Sequence, residues 1–413
     1  MKALEVTVVG GGMITHDQIL PSLYELQRQG VIGRIAVCAL NARPLRELAR
    51  SEQFARAFPG QSFVPFPPLD TDPDAPQPDL YAQVIAGMPP RNLVVVALPD
   101  HLHFEAIMTA LSAEQNVLSV KPLVLKAADA QAIERAARAR GLLVAAEYHK
   151  RFDDRSLMAR RAYRQGLFGE FRLGTCSLLE KWYYRHSNFQ NWCTVEHSDA
   201  FTYIGCHYVD LVHFITGLLP IAVSVYGVRD KYPNGREGFL WTDARVIWNN
   251  GACLNVQNAL GFPDDAPGSN TQGLTMYCAG ADQGALIAHS DQYRGLSYSY
   301  LRTPGGPGST VYAEPSPDYF QYVDLGGGGL TPVGYGYRSI EHIVRAVARL
   351  EQECDSAESR RQALEEIDQA GIIATPANSS YNERVIEAGR WSILNGAREA
   401  IIDYPTSAVE SAS

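Results

Sequence analysis

The sequence predicts an α/β protein. An N-terminal doubly wound dinucleotide-binding (Rossmann) domain precedes an α+β domain with a large, mostly antiparallel open sheet. Three observations carry that prediction. The β-branched run Glu5-Val6-Thr7-Val8-Val9 ends in Gly10-Gly11-Gly12 and passes straight into an amphipathic stretch. Apolar runs and helical patterns then alternate as far as Ala146, the pattern of a parallel sheet wrapped by helices. From Phe171 onward, β-type runs separated by turn residues replace that alternation, as in an antiparallel sheet.

At 413 residues the chain is long enough for two domains, placed at 1–150 (dinucleotide binding) and 151–413 (substrate binding and oligomerisation, with a C-terminal helix able to pack back on the first domain). A content of 46% hydrophobic and 20% charged residues fits a soluble globular protein. The net charge is -9 and no Lys/Arg block occurs, so no nucleic-acid partner is expected. No apolar run could span a bilayer, and the first residues enter a strand without the basic and apolar regions of a signal peptide. A cytoplasmic protein without membrane association is expected. The seven cysteines are dispersed with no C-x-x-C, which favours reduced thiols over a disulfide frame or a zinc site.

The glycine turn fits G-x-G-x-x-G at Gly10 and Gly12, with Thr15 in the third position. Glycine lets the backbone turn tightly and approach a ligand closely. The helix opening at Met13 and Ile14 aims N–H groups and the positive end of its dipole at that ligand, a site for a pyrophosphate. An ordinary tight βα turn is the alternative. Met13–Gln29 reads as a helix with Ile14, Ile19, Leu23 and Leu26 near one face, stopped by Gly30. Arg34–Ala39 is the second strand. NAD enzymes carry an acid at its end for the adenosine ribose, and here there is none. Asn41 suits a ribose hydroxyl; Arg43 suits a 2′-phosphate or simply starts the next helix. The cofactor is therefore NAD or NADP.

Pro44–Ala57 reads as a helix, and Pro59–Pro78 as a proline-rich, aspartate-bearing loop around a short strand at Ser62–Phe66. It is longer than βα connections usually are. A short helix, Asp79–Met88, follows. Asn92–Leu98 is apolar enough for the middle of a parallel sheet. Its exit, Leu98-Pro99-Asp100-His101-Leu102-His103, lies where ligands bind in such sheets. Asp100 suits an N-cap, and His103 either starts a helix or touches the cofactor. Strand Asn116–Val120 ends in Lys121-Pro122, a lysine at a strand mouth whose direction the proline restricts. Helix Lys126–Arg140 and strand Leu142–Ala146 lead to the polar cluster Glu147–Phe152, where the domain boundary is drawn.

The second half begins with helix Asp154–Gln165. Strands are expected at 172–179, 221–228, 243–248, 252–257, 274–278 and 284–288, with Asn249-Asn250-Gly251 as a hairpin signal. Pro263–Gln272, Pro304–Ser309 and Gly326–Gly329 read as loops, and Ser339–Glu353 and Ser379–Arg398 as helices. Helix Asp199–Thr216 carries Tyr203, His207 and Asp210 at i, i+4 and i+7, which places them on one face. Such a polar triad is costly to bury unless it is paired or used: it is a satisfied core network or a working site. No third ligand stands at a metal-binding spacing, so no metal is expected. The stretch Lys181–His186 and Asn191-Trp192 offers Trp182 and Trp192 as stacking surfaces for a sugar, or as packed aromatics of an interface loop. His149 and Arg151 are placed to reach the same cleft.

Taken together, these segments resemble the Gfo/Idh/MocA family of NAD(P)-dependent oxidoreductases. The glycine turn matches the family's opening, and Ala97–His103 its fourth-strand signature. Val120-Lys121-Pro122 matches its Glu-Lys-Pro motif with valine for glutamate. Gly205-Cys206-His207-Tyr208-Val209-Asp210 matches Gly-x-His-x-x-Asp. The resemblance implies hydride transfer between a secondary hydroxyl of a sugar, polyol or glycoside and a nicotinamide, with Lys121 and His207 handling the hydroxyl. Many members have an aspartate where Tyr203 stands, so the tyrosine would take its place in the proton relay. On this reading His207 is the base, Lys121 stabilises the developing alkoxide, and Asp210 fixes the imidazole tautomer. Some members use the cofactor transiently, as redox-neutral glycosidases or lyases; a non-catalytic dinucleotide-sensing protein is the third possibility. The family's sheet face commonly forms a homo-oligomer, a dimer or a tetramer.

Overall fold

The computed structural model describes residues 3–266, 270–281, 283–290, 298–301, 310–313 and 319–404. The loop expected at Pro304–Ser309 lies outside them. The chain divides into two compact units: Met1–Phe152 with Tyr322–Glu383, and Asp153–Gln321 with Arg384–Ser413.

The first unit is built on a six-stranded sheet. Its strands are β1 (Leu4–Val9), β2 (Ile32–Cys38), β3 (Val64–Phe66), β4 (Leu93–Val96), β5 (Asn116–Val120) and β6 (Val144–Glu147), in the spatial order β3-β2-β1-β4-β5-β6. Every neighbouring pair is parallel, giving the doubly wound arrangement expected of a dinucleotide-binding domain. Valine and leucine dominate β4, and all four of its residues are buried, as befits a strand covered on both faces. The helix Tyr335–Glu353 presents Ile340, Ile343, Val344 and Val347, all fully buried; each contributes roughly 1.5–3 kcal/mol by leaving water. It packs on the helix Leu20–Arg28 and against β6. A later segment joins the sheet margin, where the Ala146 N–H donates to the Ala374 carbonyl at 2.8 Å.

The helix Ala357–Ala370 escapes the periodicity reading because none of its residues is buried, so it has no apolar stripe to detect. Its ends are marked instead by local chemistry. Ser356 and Ser359 form a reciprocal capping box, and Gly371 closes the helix in the left-handed region at φ +61°.

The second unit carries a seven-stranded sheet. Its strands are β7 (Phe171–Lys181), β8 (Pro220–Lys231), β9 (Glu237–Trp248), β10 (Cys253–Phe262), β11 (Asn270–Cys278), β12 (Ala285–His289) and the short edge strand Ala400–Ile401. The order is β12-β11-β7-β10-β9-β8 and then the edge strand. Only β7 and β10 run parallel; the remaining pairs are antiparallel. The hairpin at Asn249-Asn250-Gly251 joins β9 to β10, with Gly251 at φ +82°. Val223, Val225, Val246, Leu254 and Val256 point inward and are buried, while Tyr226, Asp243, Arg245, Asn255 and Gln257 alternate with them on the outward face. On the inward face, an added Cβ at Gly389 would lie 2.6 Å from the Phe201 ring, so glycine permits that close approach. Among the described residues, no helix is long and apolar enough to cross a membrane.

Candidate active site

In the first unit the glycine turn divides its work between residues. Gly10 stands at φ +117°, and a Cβ there would lie 2.0 Å from the Ala97 carbonyl oxygen; glycine is required by both strain and space. Its N–H donates to the Cys38 carbonyl at 2.7 Å. Gly11 lies so close to β2's exit that an added Cβ would meet Ala39 and Pro44 at 3.3 Å. Gly12 is different: it is exposed, and no heavy atom lies within 4 Å of where its Cβ would be. Glycine there serves no internal contact, which leaves the room a phosphate on a helix N-terminus needs.

Thr15, the β-branched residue in the third glycine position, is fully buried and donates its hydroxyl to the Gly10 carbonyl at 2.7 Å. It ties the turn together where a third glycine would only have made space. The expected single helix opens with a wide turn at Thr15–Ile19 before the regular helix Leu20–Arg28. The N–H groups of Thr15 and His16 both donate to the Gly12 carbonyl; Met13 and Ile14 form the first turn.

At the end of β2, the Asn41 side chain caps the helix Ala42–Ala49 by accepting from the Arg43 N–H at 3.2 Å. The Arg43 guanidinium is engaged by Asp74, with Nε 2.9 Å from Oδ1 and Nη2 2.5 Å from Oδ2. That hydrogen bonding raises the Arg43 pKa above its ordinary value.

At the end of β4, Leu98 and Pro99 lead into a helical turn at Asp100–Leu102, and Asp100 is buried. His103 is fully buried, its ring nitrogens 2.8 Å from the Leu98 carbonyl and 2.9 Å from the Pro122 carbonyl. It therefore links the exit of β4 to the Lys121–Pro122 turn, where Lys121 is half-buried.

Register brings a carboxylate beside the position where valine replaces the motif's glutamate: Val120 pairs with Glu147 across β5 and β6. Glu147 is buried; it accepts from Gln18 at 2.9 Å and from the Ser339 hydroxyl, and lies 3.2 Å from His149 Nδ1. Arg151, by contrast, is buried as a structural tie, donating to the Tyr381 hydroxyl at 3.1 Å and to the Gly371 carbonyl. Neither Glu147 nor Asp74 was singled out by the sequence reading; both act through partners distant in the chain.

In the second unit the polar helix begins as a wide turn at Phe201–Gly205 and continues as a regular helix over Cys206–Thr216. His207 and Asp210 are buried, 6% and 1% exposed. Tyr203 sits in the wide turn, whose longer repeat shifts it relative to an unbroken i, i+4 face. Its ring packs edge-on against Phe189 at 4.8 Å and Trp192 at 5.4 Å. Gly205 is close-packed: a Cβ would lie 2.7 Å from Asn258 Oδ1.

Trp192 is buried in that aromatic cluster, whereas Trp182 is 41% exposed. The Arg185 guanidinium lies 3.8 Å from the Trp182 ring centroid and donates to Asp230 at 2.5 Å and to the Leu260 carbonyl at 2.6 Å. Burial pushes the Tyr184 phenol well above its ordinary pKa, with Glu180 and Tyr203 adding to the shift, so it stays neutral. Lys181 donates to the carbonyls of Pro263, Asp264 and Ala266, and burial lowers its pKa; it staples a loop. Among the described residues, no group of three His, Cys, Asp or Glu converges for a metal.

A parallel sheet in the order 321456, with a glycine turn open at its mouth, defines a Rossmann nucleotide-binding unit. Residues 4–148 match the model of the Gfo/Idh/MocA family, described as an oxidoreductase family with an NAD-binding Rossmann fold. The chain is similar to Inositol 2-dehydrogenase 1 of Saccharopolyspora erythraea, 35% identical over 142 residues, covering 34% of this chain and 40% of that protein. It is also similar to 2,7-anhydro-N-acetylneuraminate hydratase of Escherichia coli, 25% identical over 137 residues, covering 33% and 36%. The chain spans 21% to 44% of the length of the curated relatives it matches. Among solved structures, GenD2 from gentamicin A biosynthesis in complex with NAD aligns over 98% of this chain and 97% of its own, with a TM-score of 0.64. At 18% identity that likeness shows the fold.

Proposed function

We propose that the protein transfers a hydride between a secondary hydroxyl of a sugar, polyol or glycoside and a nicotinamide dinucleotide. The contrast between Gly10, which the fold forces, and Gly12, which it leaves open, supports the nucleotide half of this reading most strongly. The residues present fit such a cofactor: the Gly10–Ile14 turn for its pyrophosphate, the end of β2 for its adenosine ribose, and Leu98, Pro99, Asp100 and Lys121 at the strand mouths toward the nicotinamide, with the fully buried His103 bracing those mouths through the Leu98 and Pro122 carbonyls. Bound there, a nicotinamide accepts or returns a hydride. The relative named as an inositol dehydrogenase supports a polyhydroxylated substrate.

The chain's own residues handle the proton. His207 takes it from the hydroxyl, with Asp210 orienting the imidazole and Tyr203 relaying. Lys121 stabilises charge developing on the oxygen. His149 belongs to the proposed substrate set; Arg151, expected there as well, is 1% exposed and ties Tyr381 and Gly371 instead. Trp182 offers the exposed aromatic face for a sugar, and Trp192 backs Tyr203. The hydratase relative favours a second reading, redox-neutral use of the cofactor.

One experiment separates the two. Nucleotide released by denaturing the purified protein is identified, and reduced nicotinamide is followed by ultraviolet absorbance across a panel of sugars, polyols and glycosides. Net reduction establishes a dehydrogenase. Substrate consumed with no net reduction establishes the redox-neutral reaction.

The outward face of the second sheet fits a second copy of the chain. Leu173 and Tyr277 pair across β7 and β11, Leu286 pairs with Tyr277, and all three are about half exposed, at 51%, 52% and 54%. The three lie together at the β12-β11-β7 end of that face, where clustered exposed apolar side chains suit an interface. Tyr277→Arg is expected to lower the sedimenting mass toward that of a monomer without loss of secondary structure; an unchanged mass places the interface elsewhere.

A further inference from the structure

We propose that Asp74 makes this chain select NAD over NADP, supplying from the loop after β3 the carboxylate that the end of β2 lacks. The assignment rests on the dinucleotide reading of the glycine turn. A dinucleotide whose pyrophosphate lies on that turn lays its adenosine ribose over the end of the second strand. In this chain the two features adjoin: the Gly10 N–H donates to the Cys38 carbonyl, and an added Cβ at Gly11 would lie 3.3 Å from the side chains of Ala39 and Pro44.

 The residues that follow β2 are Ala39, Leu40 and Asn41, none of them acidic. Arg43 standing open would favour a 2′-phosphate.

Arg43 does not stand open. Its guanidinium meets Asp74 side-on through both Nε and Nη2. The two side chains are 59% and 63% exposed, so the pair lies at the surface, where a ribose can reach it. An exposed ion pair holds little by itself, but the loop that carries Asp74 is fastened independently. Arg46 donates to the carbonyls of Leu69 at 2.7 Å and Thr71 at 2.9 Å. The Arg43 N–H donates to the Pro73 carbonyl at 3.2 Å, and the Gln77 N–H to the Leu40 carbonyl at 2.7 Å. Asp74 therefore keeps its place beside the end of β2 through backbone contacts. Asp72 on the same loop accepts from the Asp74 N–H at 3.0 Å, which fixes the turn that carries Asp74. A ribose 2′-hydroxyl finds an acceptor there. A 2′-phosphate finds a carboxylate, and a guanidinium already engaged.

The test is binding, measured by nicotinamide fluorescence with the full chain and with NADH and NADPH as probes. The wild-type protein is expected to bind NADH about tenfold or more tightly than NADPH, the scale of one charge-assisted hydrogen bond gained or lost. Asp74→Asn is expected to narrow that ratio by about tenfold, chiefly through tighter NADPH binding by the released Arg43. Adding Arg43→Gln to Asp74→Asn is expected to remove the gain in NADPH affinity. Wild-type protein that binds NADPH as tightly as NADH overturns the assignment, as does an Asp74→Asn ratio equal to the wild-type one. Failure of wild-type protein to bind either nucleotide overturns the reading of the glycine turn itself, and the assignment with it.

Discussion

Replacing His207 by alanine is expected to lower turnover by roughly 10²–10⁴-fold, the usual contribution of a positioned general base, while leaving nucleotide affinity nearly unchanged. The two effects separate because the proposed pyrophosphate and ribose contacts all belong to the first unit, whereas His207 stands on the helix Cys206–Thr216 of the second. His207 is 6% exposed, so the variant also removes packing. His207→Gln, closer in volume, keeps the test clear of a folding defect. Both variants should flatten the acid limb of the pH–rate profile, a readout that lost packing alone does not move. Unchanged turnover in His207→Gln removes the residue from the mechanism.

The second large effect is expected at Gly10. Alanine there must adopt φ +117° and place its Cβ 2.0 Å from a backbone carbonyl oxygen. Backbone strain and overpacking each cost about 1–3 kcal/mol, so Gly10→Ala should destabilise the first unit by about 3 kcal/mol or more, measured as a fall in the denaturation midpoint. Gly12→Ala should behave in the opposite way. With no heavy atom within 4 Å of the added Cβ, its unfolding midpoint should match that of the wild type while nucleotide binding weakens. A Gly12→Ala protein that binds nucleotide normally would show that no phosphate lies over this residue.

How far the sequence could be read follows from how local each signal is. β1, β4 and β5 were legible because strands buried on both faces become continuous apolar runs. The hairpin at Asn249-Asn250-Gly251 was legible because its turn chemistry lies in adjacent residues. Helix Ala357–Ala370 was not, since a helix with no buried residue leaves no apolar period. The wide turns at Thr15–Ile19 and Phe201–Gly205 add a residue to the helical repeat without any marker in composition. Within the candidate site, the glycines, Lys121 and His207 stand in short motifs. Asp74 and Glu147 acquire their meaning from Arg43 and from Gln18, Ser339 and His149, partners that tertiary structure alone brings near.

The first unit is discontinuous in sequence, and this sets an order of events during synthesis. When the ribosome has made residues 1–152, all six strands of the parallel sheet exist, but the helix bearing Ile340, Ile343, Val344 and Val347 does not. At about 5–20 residues per second, translating the intervening residues 153–321 takes on the order of ten seconds. Through that interval the flank beside β6 and the helix Leu20–Arg28 lacks its apolar cover. The nascent sheet must stay soluble while the second unit is threaded out behind it, and the nucleotide-binding half matures only after most of the chain has emerged.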